Sequence, residues 1–270
     1  RILESLRPAS EEVHGVRRTS GGPRKEWGRM AERCFSIPRR SLGVRSFPNG
    51  LRIRTSTKLL IEDTGGDVWR GSIAMASFLP SDHRDCLEGR RVLELASGTG
   101  LLGLSLLVGE VAAGCVVMTD KPNMTELIEA NVEANADIVP KEKLVVAPLD
   151  FCTPIGSEVA EGAPYDTVIV SDVFYDEDIV EPFLCTLRRV CLLSRRESTG
   201  APPIFLCASH RSDRIEQLFF TAAKPFFSWD EVGDKSSMKK QLRSEYISIW
   251  RLRMREDVPD AVFAAGLDGG

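Results

Sequence analysis

Gly98-Thr99-Gly100-Leu101-Leu102-Gly103 spells Gly-x-Gly-x-x-Gly between two apolar runs. Glycines let a backbone turn tightly and let a ligand come close. Asp120 follows Gly100 by 20 positions and ends the next strand-like run, where a carboxylate can take ribose hydroxyls. These features suit a nicotinamide dinucleotide and S-adenosylmethionine equally. Three observations separate them. Glu94 stands just before the turn, and an acid there favours a ligand with an amino group and a sulfonium, whereas a pyrophosphate would be repelled. The Tyr-x-x-x-Lys pattern of hydride transfer is missing, because Ile169, Ile179 and Trp250 follow Tyr165, Tyr175 and Tyr246 at that spacing. Two strand-like runs also close the chain with no helix between them, which is not the dehydrogenase layout.

Other chemistries find less support. The 7 cysteines form no C-x-x-C pair and the 3 histidines are scattered, so no metal site is expected. An odd, dispersed cysteine set suits a reducing compartment, which implies an intracellular protein, nuclear or cytoplasmic. The longest apolar stretch, Leu101 to Gly114, is broken by glycines and Glu110 and falls short of the roughly 20 residues a bilayer needs. No membrane partner is expected.

The elements that must carry these residues alternate. A hairpin is predicted around Asn49-Gly50, since Asn-Gly supplies the positive φ values of a tight turn. A helix follows from Val68 to Leu79, then a strand from Arg90 into the glycine turn and an apolar helix after it. Residues 115–120 form a second strand, and Pro122 opens a helix that runs through Asn135. Strands over 143–151, 165–172 and 203–211 alternate with helices over 179–194 and 214–223, and runs over 227–233 and 245–254 complete the set. Such alternation predicts a parallel α/β sheet, and the last two strands, lacking a crossover helix, must pair antiparallel. Asn131 and Asn135 are assigned to polarity on the surface of their helix.

Charge marks the boundaries. Residues 1–58 hold 14 Lys+Arg against 5 Asp+Glu, and the remainder 21 against 34. Residues 1–42 lack a sustained apolar period and are expected to form a basic, disordered arm. It is either a solvated tail or a grip for nucleic acid or an acidic partner. A domain over 43–256 and a flexible tail over 257–270 are expected to follow, in a monomer.

Four stretches together resemble a known family. IEDTGGDVWRGSIAMASFL, VLELASGTGLLGL, VVMTDKPNMTELIEANVEAN and VIVSDVFYDED are similar to the seven-β-strand lysine methyltransferases of family 16. The stretches from Glu62 to Gly71 and from Ser171 to Asp176 are most similar to its methyltransferase-like protein 22 branch. The resemblance implies a Rossmann-like seven-stranded sheet, mostly parallel, with an antiparallel C-terminal strand and helices on both faces. It further implies S-adenosylmethionine, leaving as S-adenosylhomocysteine, and a protein substrate presenting a lysine. Glu94 would then face the methionine moiety, Asp120 the ribose and Asp150 the adenine amino group, with Phe151 packed on the adenine. Gly98 and Gly100 would allow close approach, with Ser97, Lys121 and Ser171 alongside. Trp69 would be a lid or a core tryptophan. Asp172 and Tyr175 would orient the lysine amine, unless Asp172 caps the following segment and Tyr175 packs in the core. Ala96 departs from the family's glycine, and Phe151 from its tryptophan. Another acceptor (histidine, nucleic acid or a small molecule) stays open, as does a non-catalytic binding module on the same fold.

Overall fold

The computed structural model describes residues 43–109, 111–196, 200–232 and 247–267. The basic arm expected over residues 1–42 lies outside them. The hairpin forms as its turn requires: β1 (Val44–Ser46) pairs antiparallel with β2 (Arg52–Arg54). Gly50 between them sits at φ +88°, a conformation that L side chains resist. Helix α1 (Thr57–Asp63) starts where the Ser56 side chain accepts the Leu59 N–H, a typical N-cap bond. Helix α2 (Arg70–Asp82) follows.

Seven strands build the central sheet: β3 (Arg91–Leu95), β4 (Cys115–Asp120), β5 (Leu144–Pro148), β6 (Thr167–Ser171), β7 (Ile204–Ser209), β8 (Phe227–Glu231) and β9 (Ile247–Met254). Their spatial order is β5-β4-β3-β6-β7-β9-β8. Pairs from β5 through β7 are parallel, while β9 lies antiparallel to both β7 and β8. The expected fold class is borne out, including the terminal antiparallel pair. Chain order reverses at β3, whose neighbours are β4 and β6. That reversal opens a crevice at the carboxyl end of β3, the place where ligands bind in open α/β sheets.

Alternation along the strands sends side chains to two apolar layers. On one face Val92, Val116, Ile169 and Phe205 pack with Met75 and Phe78 of α2, with Leu102 of α3 (Leu101–Ser105) and with Ile128 of α4 (Pro122–Ala134). The other face is covered by α6 (Val180–Ser194) and α7 (Asp213–Ala223), which bury Phe183, Leu187 and Phe219. Pro122 opens α4, and Pro182 lies in the first turn of α6, as expected. Two local readings change. The apolar run after the glycine turn forms only the five-residue α3, and a short helix α5 (Ser157–Gly162) precedes β6.

The C-terminal segment departs from the expected flexible tail as far as it is described. Helix α8 (Asp260–Ala264) buries Phe263 completely against Phe226 and Phe227. Arg188 of α6 is buried beneath it, its guanidinium donating to the Phe263 and Ala265 carbonyls. Composition alone suggested fraying, because small residues dominate there and one phenylalanine carries the packing.

Candidate active site

Three residues of the glycine turn adopt left-handed backbone: Ala96 (φ +53°), Gly98 (φ +57°) and Gly100 (φ +77°). For the glycines this costs little. For Ala96 the methyl group meets its own backbone, a strain of about 1–2 kcal/mol. The turn is held from outside by neighbouring strands and helices. The Ser97 N–H donates to the Thr119 carbonyl at 2.9 Å and the Gly98 N–H to Asp120 Oδ2 at 2.7 Å. The Thr99 carbonyl accepts from Asn131 Nδ2 at 2.9 Å.

Glu94 lies under the turn with 1% of its surface exposed. Burial pushes its carboxyl up to about 8, although the Ser97 side chain and the Gly103 N–H hold the value down. That N–H donates to Glu94 Oε2 at 3.1 Å. The third glycine is a steric requirement: a Cβ on Gly103 would lie 2.6 Å from Glu94 Oε2 and 2.6 Å from Met118 Sδ.

Along the same rim stand Asp120, Lys121, Asp150 and Tyr175. Burial raises the Asp120 carboxyl against the bonds it accepts from Gly98 and Lys121. Lys121 is half-buried and bonded to Asp63 at the end of α1 at 3.1 Å. Burial opposes its charge, but the Tyr175 hydroxyl, Asp63 and Asp150 together raise its pKa. Burial likewise raises the Tyr175 phenol, with Lys121 pulling the other way. Tyr175 and Lys121 thus lie near enough for each to bias the other's charge. Asp150 accepts the Cys152 N–H at 2.9 Å, and the Phe151 ring sits 5.2 Å from that of Phe183.

Asp172 is placed differently. Its backbone is left-handed (φ +56°) and its side chain is 1% exposed. Oδ2 accepts the Gly71 N–H in the first turn of α2 at 2.7 Å, and Oδ1 the Ser209 N–H at the end of β7 at 2.8 Å. Arg211 lies 3.6 Å from Oδ1 and stacks 4.2 Å over the Trp69 ring. The Trp69 indole N–H donates to the Thr64 carbonyl at 2.9 Å. Asp172 thus caps the first turn of α2, which precedes it by 101 positions, rather than the segment that follows it, and ties α2 to β7. Ser171, half-exposed at the end of β6, completes the rim.

A family model described as lysine methyltransferase matches residues 48–226, a span containing the whole rim. The chain belongs to the lysine methyltransferase family. It is 28% identical over 192 residues to EEF1A lysine methyltransferase 3 of Mus musculus, covering 71% of this chain and 73% of that one. It is 29% identical over 181 residues to protein N-lysine methyltransferase METTL21A of Danio rerio, covering 67% and 77%. Methyltransferase-like protein 22 of Mus musculus is 28% identical over 156 residues, covering 52% of this chain and 39% of its own.

The donor set fits the cofactor of this lysine methyltransferase fold. Gly98 and Gly100 bring the backbone to the crevice, Asp120 is bonded to the turn, Glu94 is buried beneath it and Asp150 follows β5, a set of acids with the chemistry to suit an amino group, a sulfonium and ribose hydroxyls. Against them the rim sets Lys121, itself bridged to Asp63. Away from the rim, at the opposite end of the sheet, His83, Asp85 and Cys86 hold donor atoms within 4.8 Å of one another. These three donors are one short of a structural zinc set.

Sequence reasoning missed one residue and misread two more. Asp63 latches α1 to both Lys121 and Asn123, and nothing local marked it, since its partners lie 58 and 60 positions away. Asn131 and Asn135 are not surface polarity: both are 0% exposed. Their burial was visible only as polar positions falling near the apolar face of α4.

Proposed function

We propose that this protein transfers a methyl group from S-adenosylmethionine to the side-chain amine of lysine in a protein substrate. The observation that carries the reading is the acidic rim around the glycine turn at the sheet's reversal point, in a chain of this family. The names of the relatives, which specify protein lysine, favour that acceptor over histidine, nucleic acid or a small molecule.

Bound in the crevice, the cofactor supplies an electrophilic methyl group on a sulfonium. Glu94 holds its methionine end, Asp120 the ribose, and Asp150 with Phe151 the adenine; Ser97, Lys121 and Ser171 border it. Direct displacement needs a neutral amine, whereas a lysine in water has a pKa near about 10.4. Desolvation at the rim lowers that value. Tyr175, half-buried, orients the amine and offers its ring face to a cation. Asp172 acts through what it holds: by fixing the start of α2 and the end of β7 it sets Trp69 and Arg211 as the wall of the entrance. Positioning of this kind supplies much of the rate in a reaction with little acid–base chemistry. The exposed acids Glu177 and Asp178 beside Tyr175 draw basic segments of the substrate toward the rim.

We place the protein in the nucleus or cytoplasm. Cys86, Cys115, Cys152, Cys185, Cys191 and Cys207 are all free thiols, in keeping with a reducing compartment. No described helix is long and apolar enough to cross a membrane.

Thermal unfolding with S-adenosylmethionine, S-adenosylhomocysteine or NAD tests the pocket. A ligand at a hundred times its Kd adds about 2.7 kcal/mol. Stabilisation by both adenosyl ligands and not by NAD is the expected result; stabilisation by NAD alone would overturn the reading. Labelled methyl transfer to proteins of a cell extract, followed by acid hydrolysis, then identifies the acceptor. Label in methyl-histidine, with none in methyl-lysine, would exclude lysine.

A further inference from the structure

Among the described residues, the outer edge of β2 pairs with no strand but with the side chains of Asn131 in α4 and of Asn135, which caps that helix at its C-terminus. Asn135 accepts the Arg52 N–H at 2.8 Å and donates to the Arg52 carbonyl at 2.9 Å. Asn131 accepts the Arg54 N–H at 2.6 Å and donates to the Arg54 carbonyl at 3.0 Å. Geometry makes the match possible. Residues two apart on a strand project the same way and lie about 6.6 Å apart, while residues four apart on a helix rise about 6 Å on one face. Two amides one helical turn apart therefore reproduce one edge of a β-ladder.

The two differ in their remaining N–H. That of Asn135 goes to the Asn131 carbonyl within the same helix at 2.6 Å. That of Asn131 leaves the helix and reaches the Thr99 carbonyl in the glycine turn at 2.9 Å. Thr99 directly precedes Gly100, and its carbonyl fixes the peptide plane between them. Left-handed glycines flank Thr99, and the one at Gly100, which borders that plane, lowers its intrinsic preference.

We propose that Asn131 is a positioning residue for the cofactor, which joins the N-terminal hairpin to the glycine turn and makes the hairpin part of the cofactor site. Asn135 is the built-in control, since it holds the same strand without touching the turn. The inference rests on the cofactor reading above, and two measurements keep the two separable. In calorimetric titration with S-adenosylhomocysteine, below the unfolding temperature of each variant, Asn131→Ala weakens binding on the order of tenfold, as loss of a buried hydrogen bond implies. Asn135→Ala changes it less than about threefold, even where the two lose similar stability. Hydrogen exchange of the ligand-free protein reads the coupling directly: exchange at residues 98–102 accelerates in Asn131→Ala and stays at the wild-type rate in Asn135→Ala. If Asn131→Ala fails to fold, Asn131→Asp serves, because it keeps the acceptor for the Arg54 N–H and loses the donors to the Arg54 and Thr99 carbonyls. Equal weakening by both positions, or unchanged exchange in the turn, overturns the proposal. A wild-type protein that binds no adenosyl ligand overturns the cofactor reading instead, and the exchange comparison still decides the coupling.

Discussion

Replacing Glu94 by glutamine should change how stability depends on pH. The Glu94 carboxyl stands at about 8 in the folded chain because burial outweighs the favourable Ser97 side chain and Gly103 N–H beside it, against 4.5 when unperturbed. A carboxyl raised by folding binds its proton more tightly in the folded than in the unfolded state. Its stabilising contribution is therefore fully present below the unfolded value and lost as pH rises through the folded one. Across that window the loss amounts to something on the order of 5 kcal/mol. Between pH 7 and pH 9, where the folded group gives up its proton, it is about 1–2 kcal/mol. Urea denaturation of wild type and Glu94→Gln at these two pH values isolates the effect, because every other titrating group is common to both. We expect wild type to lose that amount relative to the variant as pH rises. Parallel behaviour would refute the argument that Glu94 is protonated in the ligand-free fold. A companion measurement follows from the same site: a cationic ligand beside Glu94 favours its charged form, so binding S-adenosylmethionine at pH 7 should release protons. Calorimetry in buffers of different ionisation enthalpy counts them, and Glu94→Gln should release fewer.

Ala96→Gly relieves the left-handed strain at φ +53° while loosening the unfolded chain, for a net gain of about 0.5–1 kcal/mol; thermal unfolding should rise by roughly 1–4 °C, and a fall would show that the methyl group packs usefully. Gly103→Ala forces a Cβ to within 2.6 Å of Glu94 Oε2 and Met118 Sδ, an overpacking that should cost about 1–3 kcal/mol in denaturant titration. Asp172→Ala strands the Gly71 and Ser209 N–H groups and should lower stability by about 3 kcal/mol as well as abolishing methyl transfer. Tyr175→Phe should leave the unfolding temperature within about 2 °C and still reduce labelled methyl transfer; an equal stability loss in both variants would assign Tyr175 to the frame.

The legible part of this protein was the part written in local pattern. Strand ends are marked by acids, so Glu94, Asp120, Asp150 and Asp172 could each be placed at the same edge of a sheet before its topology was known. What each acid bonds is another matter. Asp172 meets Gly71 and Ser209, which lie 101 and 37 positions away, and no spacing rule links them. Asn131 and Asn135 were misread because an amphipathic reading counts apolar residues and treats an amide as exposed. Here a strand edge 77 and 83 positions earlier satisfies both amides in the interior. The left-handed backbone at Ala96 was foreseeable only from the family's glycine, since alanine itself gives no sign of it.

The clasp around α8 has a consequence for how that helix is held. Apolar contact alone, through Phe263, would hold a five-residue helix against α6 in several rotations and offsets of similar energy. Carbonyl oxygens point one way along a helix, and the Arg188 guanidinium accepts only an arrangement that presents them to its planar fork. The phenylalanine thus supplies adhesion and the arginine supplies polarity and phase. The same arginine sets a lower limit on the chain's length. Cut after Asp257, the protein would keep a buried guanidinium with those carbonyls removed, so a residue some seventy positions earlier makes α8 part of the domain.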